Sequence, residues 1–172
     1  VQAQYGISSA EQYFRDQAYL LDYHNDTVQD MVATLYDDGL ISSGDSEHEI
    51  MKSVVSYVGE HFKHIPDDIE GKDQWQSVQV SMARGGGDCE DLAIVLSSLL
   101  SHVFHYRLGY SKSDVSKRIK LSAGHIKTPA GRPLQHAWVK VDLPESTTQT
   151  KSIYLDSTTP MGIIPSQLIT YD

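Results

Sequence analysis

Residues 85–104 constrain the fold more than any other stretch of the chain. Three consecutive glycines, Gly85, Gly86 and Gly87, precede Asp88. Beyond it, Leu92, Ala93, Val95, Leu96, Leu99, Leu100, Val103 and Phe104 leave little room for a polar face. A helix apolar around most of its circumference has to be buried on most sides. With Asp88 as N-cap, this helix starts at Cys89, the single cysteine of the chain. The remaining elements are therefore expected to wrap around one central helix whose first residue is a thiol. The glycines are expected to form a flexible hinge that lets a substrate come close.

The segments before the glycines read as helical. Ser8 with Glu11, or Ser9 with Gln12, opens a helix expected to run to about Asp38, with Gly39 as its C-cap. Phe14, Leu21, Val28 and Leu35 recur every seventh residue, a narrow apolar seam that Asn25 interrupts. The seam suits docking onto the body of the domain, or a helix-mediated partner or dimer through residues 14–35. Ser46 and Glu49 form a second capping box, opening a helix to about His64 with Ile50, Val54, Tyr57 or Val58, and Phe62 on its apolar face. A polar loop at 66–73 leads to a short helix or irregular stretch from Trp75 to Met82.

After the central helix and a short helical turn at Ser111–Val115, the period changes from helical to two. Arg118–Ile126 is strand-like, residues 128–133 form a turn, and Gln135–Leu143 alternates, with His136, Trp138, Lys140 and Asp142 on one face. Ser152–Asp156 is a further strand. Helices followed by antiparallel strands make an α+β fold. The expected division is a helical extension over 1–45 and a catalytic domain over 46–172.

Composition narrows the function. The 172-residue chain carries a net charge of −9 and no compact basic run, which disfavours nucleic acid and anionic membrane surfaces. No apolar run reaches the roughly 18 residues of a membrane span, so no membrane insertion is expected. A lone cysteine cannot form an internal disulfide or a Cys-rich metal site.

The chemistry points to Cys89. Unpaired N–H groups and the dipole at a helix N-terminus favour a thiolate, and the N–H of the nucleophile's own residue can donate to a developing oxyanion. A thiol nucleophile needs a base, and the base an orienting group. His136 stands on an alternating strand 47 residues downstream and Asp156 at the end of the next strand, 20 residues on. Adjacent antiparallel strands can bring two such side chains together.

Three blocks carry a family resemblance. Asp-Cys-Glu-Asp-Leu-Ala (88–93), His-Ala-Trp-Val-Lys-Val (136–141) and Tyr-Leu-Asp-Ser-Thr (154–158) resemble the signature blocks of the transglutaminase-like superfamily. The first is most similar to that of the bacterial and archaeal transglutaminase-like cysteine proteinases, in which a Trp-containing segment also precedes the cysteine, as Asp73-Gln-Trp-Gln-Ser77 does here. The resemblance covers about Ile50 to Pro160. It implies a papain-like core with the nucleophile helix packed on an antiparallel sheet. It implies Cys89 as nucleophile, His136 as base then acid, and Asp156 orienting the imidazole. The matching flanks favour His136 over nearby His125 as the base. Trp75 or Gln76 is the candidate second oxyanion donor, and Trp138 a residue that covers the site.

Asp88, Glu90 and Asp91 crowd the nucleophile, and like charges disfavour a thiolate. Either Asp88 and Asp91 cap the helix, or a cation neutralises the three carboxylates. Their oxygens suit calcium, and the resembling proteinases bind calcium at this motif. Three functions remain in competition: a thiol peptidase acting on a protein or peptide, an acyltransferase passing a glutamine acyl group to an amine, and a non-catalytic binding module. The resemblance and the start at Val1 lean towards an extracytoplasmic setting, periplasmic or extracellular.

Overall fold

The computed structural model describes residues 18–66, 75–128, 130, 133–144, 146–159 and 162–171. The helices are α1 (Asp26–Asp37), α2 (Glu47–His61), α3 (Val78–Arg84), α4 (Cys89–His102) and α5 (Lys112–Arg118). The strands are β1 (Lys63–His64), β2 (Gly86–Gly87), β3 (Ile119–Lys127), β4 (Pro133–Pro144), β5 (Thr150–Leu155) and β6 (Ile169–Tyr171). The fold is α+β. Among the described residues, β5-β4-β3-β6 form an antiparallel sheet in that order. A small parallel pair, β1 with β2, precedes α4.

α4 is central, as its composition demands. Every residue from Glu90 to His102 is buried. It lies against β3 and β4 on one side and against α1, α2 and α3 elsewhere. Val28, Met31, Val32 and Leu35 of α1 share one core with Leu92, Leu96 and Leu99 of α4 and with Val139 and Val141 of β4. The described residues from Leu20 to Ile41 thus share one core with those that follow.

The long first helix is shorter than expected. Its predicted stretch from Ser8 to residue 17, with Phe14, lies outside the described residues. A 3₁₀ turn, Ala18–Leu20, comes next, and α1 begins only at Asp26. Asn25 is the reason: its side chain accepts from the Val28 N–H at 3.0 Å and caps a new helix. The seam position that seemed a flaw is a helix start. Gly39 takes the positive φ of 74° expected after a helix end. Val28, Val32 and Leu35 are fully buried, so this part of the seam is spent on the chain's own core and is not a free partner surface.

The other capping signals hold. Ser46 and Glu49 form a reciprocal box at the start of α2, and Ser77 and Ser111 cap α3 and α5. α4 leaves its α-helical course in a π-helical turn at Val103–Arg107. No helix among the described residues is long and apolar enough to cross a membrane.

Candidate active site

The start of α4 is built by main-chain bonds. Asp88 caps it and forms a box with Asp91, whose Oδ2 accepts the Asp88 N–H at 3.2 Å. Asp91 Oδ1 accepts the Gln76 N–H at 2.7 Å. Fully buried Asp91 thus ties the Trp75–Gln76 segment to the first turn of α4. The capping alternative for this acidic pair is realised.

The glycines play a different part from the expected hinge. Gly85 is the left-handed end of α3, with φ 78°. Gly86 and Gly87 are buried and paired with Lys63 and His64. A β-carbon on Gly86 would overlap the Lys63 main chain, and one on Gly87 would meet the Asp91 and Gln76 side chains. The missing side chains admit the protein's own atoms, so the stretch is packed and not a hinge held open for substrate.

The sheet supplies the other two groups. β4 and β5 pair Val139 with Leu155. Continuing that register sets Asp156 opposite Trp138, so its bond to His136 is a diagonal contact. His136 Nε2 and Asp156 Oδ2 stand 2.5 Å apart. Asp156 Oδ1 accepts from Thr158 twice, from its N–H at 2.9 Å and its hydroxyl at 2.6 Å. Burial pushes the Asp156 carboxyl up, but the bonds from His136 and Thr158 outweigh it and hold the group below its ordinary range. With Nε2 engaged by a carboxylate, Nδ1 is the imidazole nitrogen left for a second partner. The main-chain N–H of Ala137, the next residue, donates to the Cys89 thiol. The end of α4 and this stretch of β4 therefore meet at the sulfur.

The Cys89 thiol has Glu90 as its hydrogen-bond partner, donating to its Oε2 at 3.2 Å. Burial first, then the charge of Glu90 and its hydrogen bond, push the Cys89 thiol far above its usual range, with only the Ala137 N–H countering among the main influences. Burial and the neighbouring Asp91 and Glu90 likewise push Asp88 up to about 10.

The oxyanion and substrate candidates fare differently. Gln76 is buried, and its Nε2 donates to Ser81 Oγ at 3.0 Å and to the Gly86 carbonyl at 3.2 Å, while its Oε1 accepts from Arg84. With both amide hydrogens engaged, its side chain is a brace for the α3–α4 turn and not a free oxyanion donor. Trp75 is partly buried and packs against the core. Trp138 has no exposed surface, so it does not meet substrate as expected. Its ring lies 6.4 Å from that of His136 at 30°, and its Nε1 has no partner. It flanks the imidazole from inside. Among the described residues, no group of three or more histidines, cysteines or carboxylates is arranged to hold a metal ion.

Three structures of LapG from Legionella pneumophila share this architecture. The calcium-bound form aligns at a TM-score of 0.57 and 21% identity, over 90% of this chain and 78% of that one. The fold is transglutaminase-like. A second LapG structure aligns at a TM-score of 0.56 over 90% of this chain and 76% of the other, again at 21% identity. An EGTA-treated form also gives 0.56 and 21%, over 90% and 74% of the two chains. No protein-family model and no curated protein sequence matches the chain. The papain-like, transglutaminase-like arrangement expected from the three sequence blocks is the arrangement observed.

Proposed function

We propose that this chain is a cysteine peptidase whose Cys89 attacks a peptide amide with His136 as base and Asp156 as its orienting partner. What supports the reading is the 2.5 Å His136–Asp156 pair, together with the main chain of Ala137, the next residue of that strand, acting on Cys89 at its helix N-terminus. In the attack, the Cys89 sulfur bonds to the amide carbon while its proton passes to His136 Nδ1. The carbonyl oxygen becomes an oxyanion, for which the Cys89 N–H and Trp75 are the candidate donors. Collapse breaks the C–N bond, the departing amine takes the proton from His136, and a thioester remains. Water, deprotonated by the same imidazole, then hydrolyses it to the carboxylic acid.

Calcium belongs to the same proposal. Asp88 and Glu90 carry the hard oxygens it takes, while Asp91 is committed to main-chain N–H groups. The crowding that pushes Asp88 up to about 10 is what a cation would relieve. One of the similar LapG structures is calcium-bound by its title. When bound there, calcium supplies positive charge beside the thiol. The setting we propose is extracytoplasmic, with a protein or peptide as substrate.

Alkylation of the single cysteine tests the base. Labelling by iodoacetamide should be pH-dependent and should slow by about a hundredfold in His136→Ala, the lower range for a general base. Equal rates in the two proteins would instead favour a binding module. Casein cleavage without amine incorporation into a glutamine peptide would separate the peptidase from an acyltransferase, which shares the thioester. Full activity in chelator would remove calcium from the scheme.

A further inference from the structure

The turn that carries Asp156 rests on α2 through glycine at both contact points. After β5 the chain closes on itself: the Asp156 N–H donates to the Gly162 carbonyl at 3.0 Å, and the Gly162 N–H to the Thr159 carbonyl at 3.2 Å. Gly162 has φ 71°, a conformation that disfavours any side chain. A β-carbon there would also overlap Val55 Cγ1 on α2. Valine is short and stiff, so it cannot swing away. One turn further along α2, a β-carbon on Gly59 would stand 3.1 Å from the Ser157 carbonyl oxygen, in the residue next to Asp156. Glycine within a helix is unfavourable by itself, so Gly59, in the last turn of α2, calls for a reason of this kind.

We propose that α2 is the positioning element for the proposed His136–Asp156 pair, and that Gly59, Val55 and Gly162 are positioning residues that set where the Asp156 carboxylate stands. This deepens the peptidase reading and rests on it. The turn is held near its head by Gly59 and at its end by the Val55–Gly162 contact. Asp156, immediately before the first of these contacts, has one oxygen on Thr158 and the other on His136. Moving the turn off α2 therefore moves the carboxylate relative to a strand, β4, that does not follow it.

The test is the alkylation rate of Cys89 against pH, with Tm measured alongside, in Gly59→Ala, Gly162→Ala, each combined with Val55→Ala, and Asp156→Asn. Gly59→Ala is the sharpest variant because alanine favours the helix. It should keep or raise Tm while slowing alkylation about three- to tenfold, a fraction of the ~100-fold that a 1 Å misplacement can cost. Its pH profile should shift towards that of Asp156→Asn. Gly162→Ala should slow labelling further, and Val55→Ala should recover part of that loss but none of the Gly59→Ala loss. Should Gly162→Ala fail to fold, Gly59→Ala alone carries the test. Wild-type rates and profiles in both glycine variants, with Asp156→Asn slowed, would overturn the positioning role and leave the triad standing. A wild-type rate in Asp156→Asn would instead overturn the triad, and the positioning role with it.

Discussion

Two charge pairs sit at opposite ends of the sheet, each closed at 2.5 Å: His136 with Asp156, and Arg118 with Glu47. They differ in what surrounds them. Arg118 is enclosed. Its guanidinium reaches both Glu47 oxygens, its Nε donates to the Asp142 carbonyl at 3.1 Å, and it lies over the rings of Phe104 and Tyr110. Tyr110 donates its hydroxyl to the same glutamate. An arginine cannot give up its proton, so this corner can only hold. It ties the first turn of α2 to the end of α5 and to β4. At the other end, the imidazole has a carboxylate on one nitrogen, and Cys89 meets the neighbouring residue of its strand. Equal distances thus go with different surroundings: the Arg118 pair has a fixed proton and a closed shell, and the His136 pair is the one the proposed mechanism uses.

The largest expected effect tests the His136 pair. Asp156→Asn preserves the size of the side chain but not the charge that selects the imidazole tautomer. Peptidase turnover should fall by about 10³- to 10⁴-fold, with Tm within a few degrees of wild type. A loss that tracks unfolding would erase the contrast between the two corners. The converse test is Arg118→Met, which leaves Glu47 half-enclosed without its partner. Stability measured by urea unfolding should fall by about 2–4 kcal/mol, since removing one member of a buried pair strands the other. Cys89 alkylation should be unchanged under conditions where the variant stays folded.

A smaller effect comes from pH. Burial pushes the Glu47 carboxyl up, but the bonds from Arg118 and Tyr110 win and hold it below its ordinary value. A lowered folded-state pKa means stability that is present above the unfolded value, about 4.3, and lost as pH falls through the folded one. Between about pH 5 and pH 3, wild-type Tm should therefore drop more steeply than that of Glu47→Gln. Parallel curves would show that the corner contributes nothing through charge. The smallest effect belongs to Trp138→Phe, which removes a buried N–H without a partner. Losing an unsatisfied donor offsets the lost ring area, so stability should stay within about 1 kcal/mol, read by the same urea titration.

Much of this was legible in residue order because it depends on neighbours within one turn. The capping boxes at Ser46–Glu49 and Asp88–Asp91, the all-round apolar α4 and the alternation of β4 appear where expected. Asn25 was misread as a defect in a seam, because seven-residue spacing hides a break that lies between two short elements. The packing of the glycines before Cys89 leaves no trace in residue order, because the atoms that fill the space beside them belong to Lys63 and Gln76, which are remote in sequence. The β1–β2 pair and β6 gave no signal. Strands of two or three residues carry no measurable period.

What the amino-acid order alone determined is therefore local: where α2 and α4 start, which helix must be central, and that a thiol stands at its first position. Capping and periodicity act over three or four residues, and they survive without knowledge of the rest. Tertiary structure decided the proton inventory. Only packing could place Glu90 on the thiol, commit Asp91 and Gln76 to bracing, and bring Asp156 diagonally to His136. Those outcomes depend on strand register and on desolvation, and both arise only when distant segments close on one another.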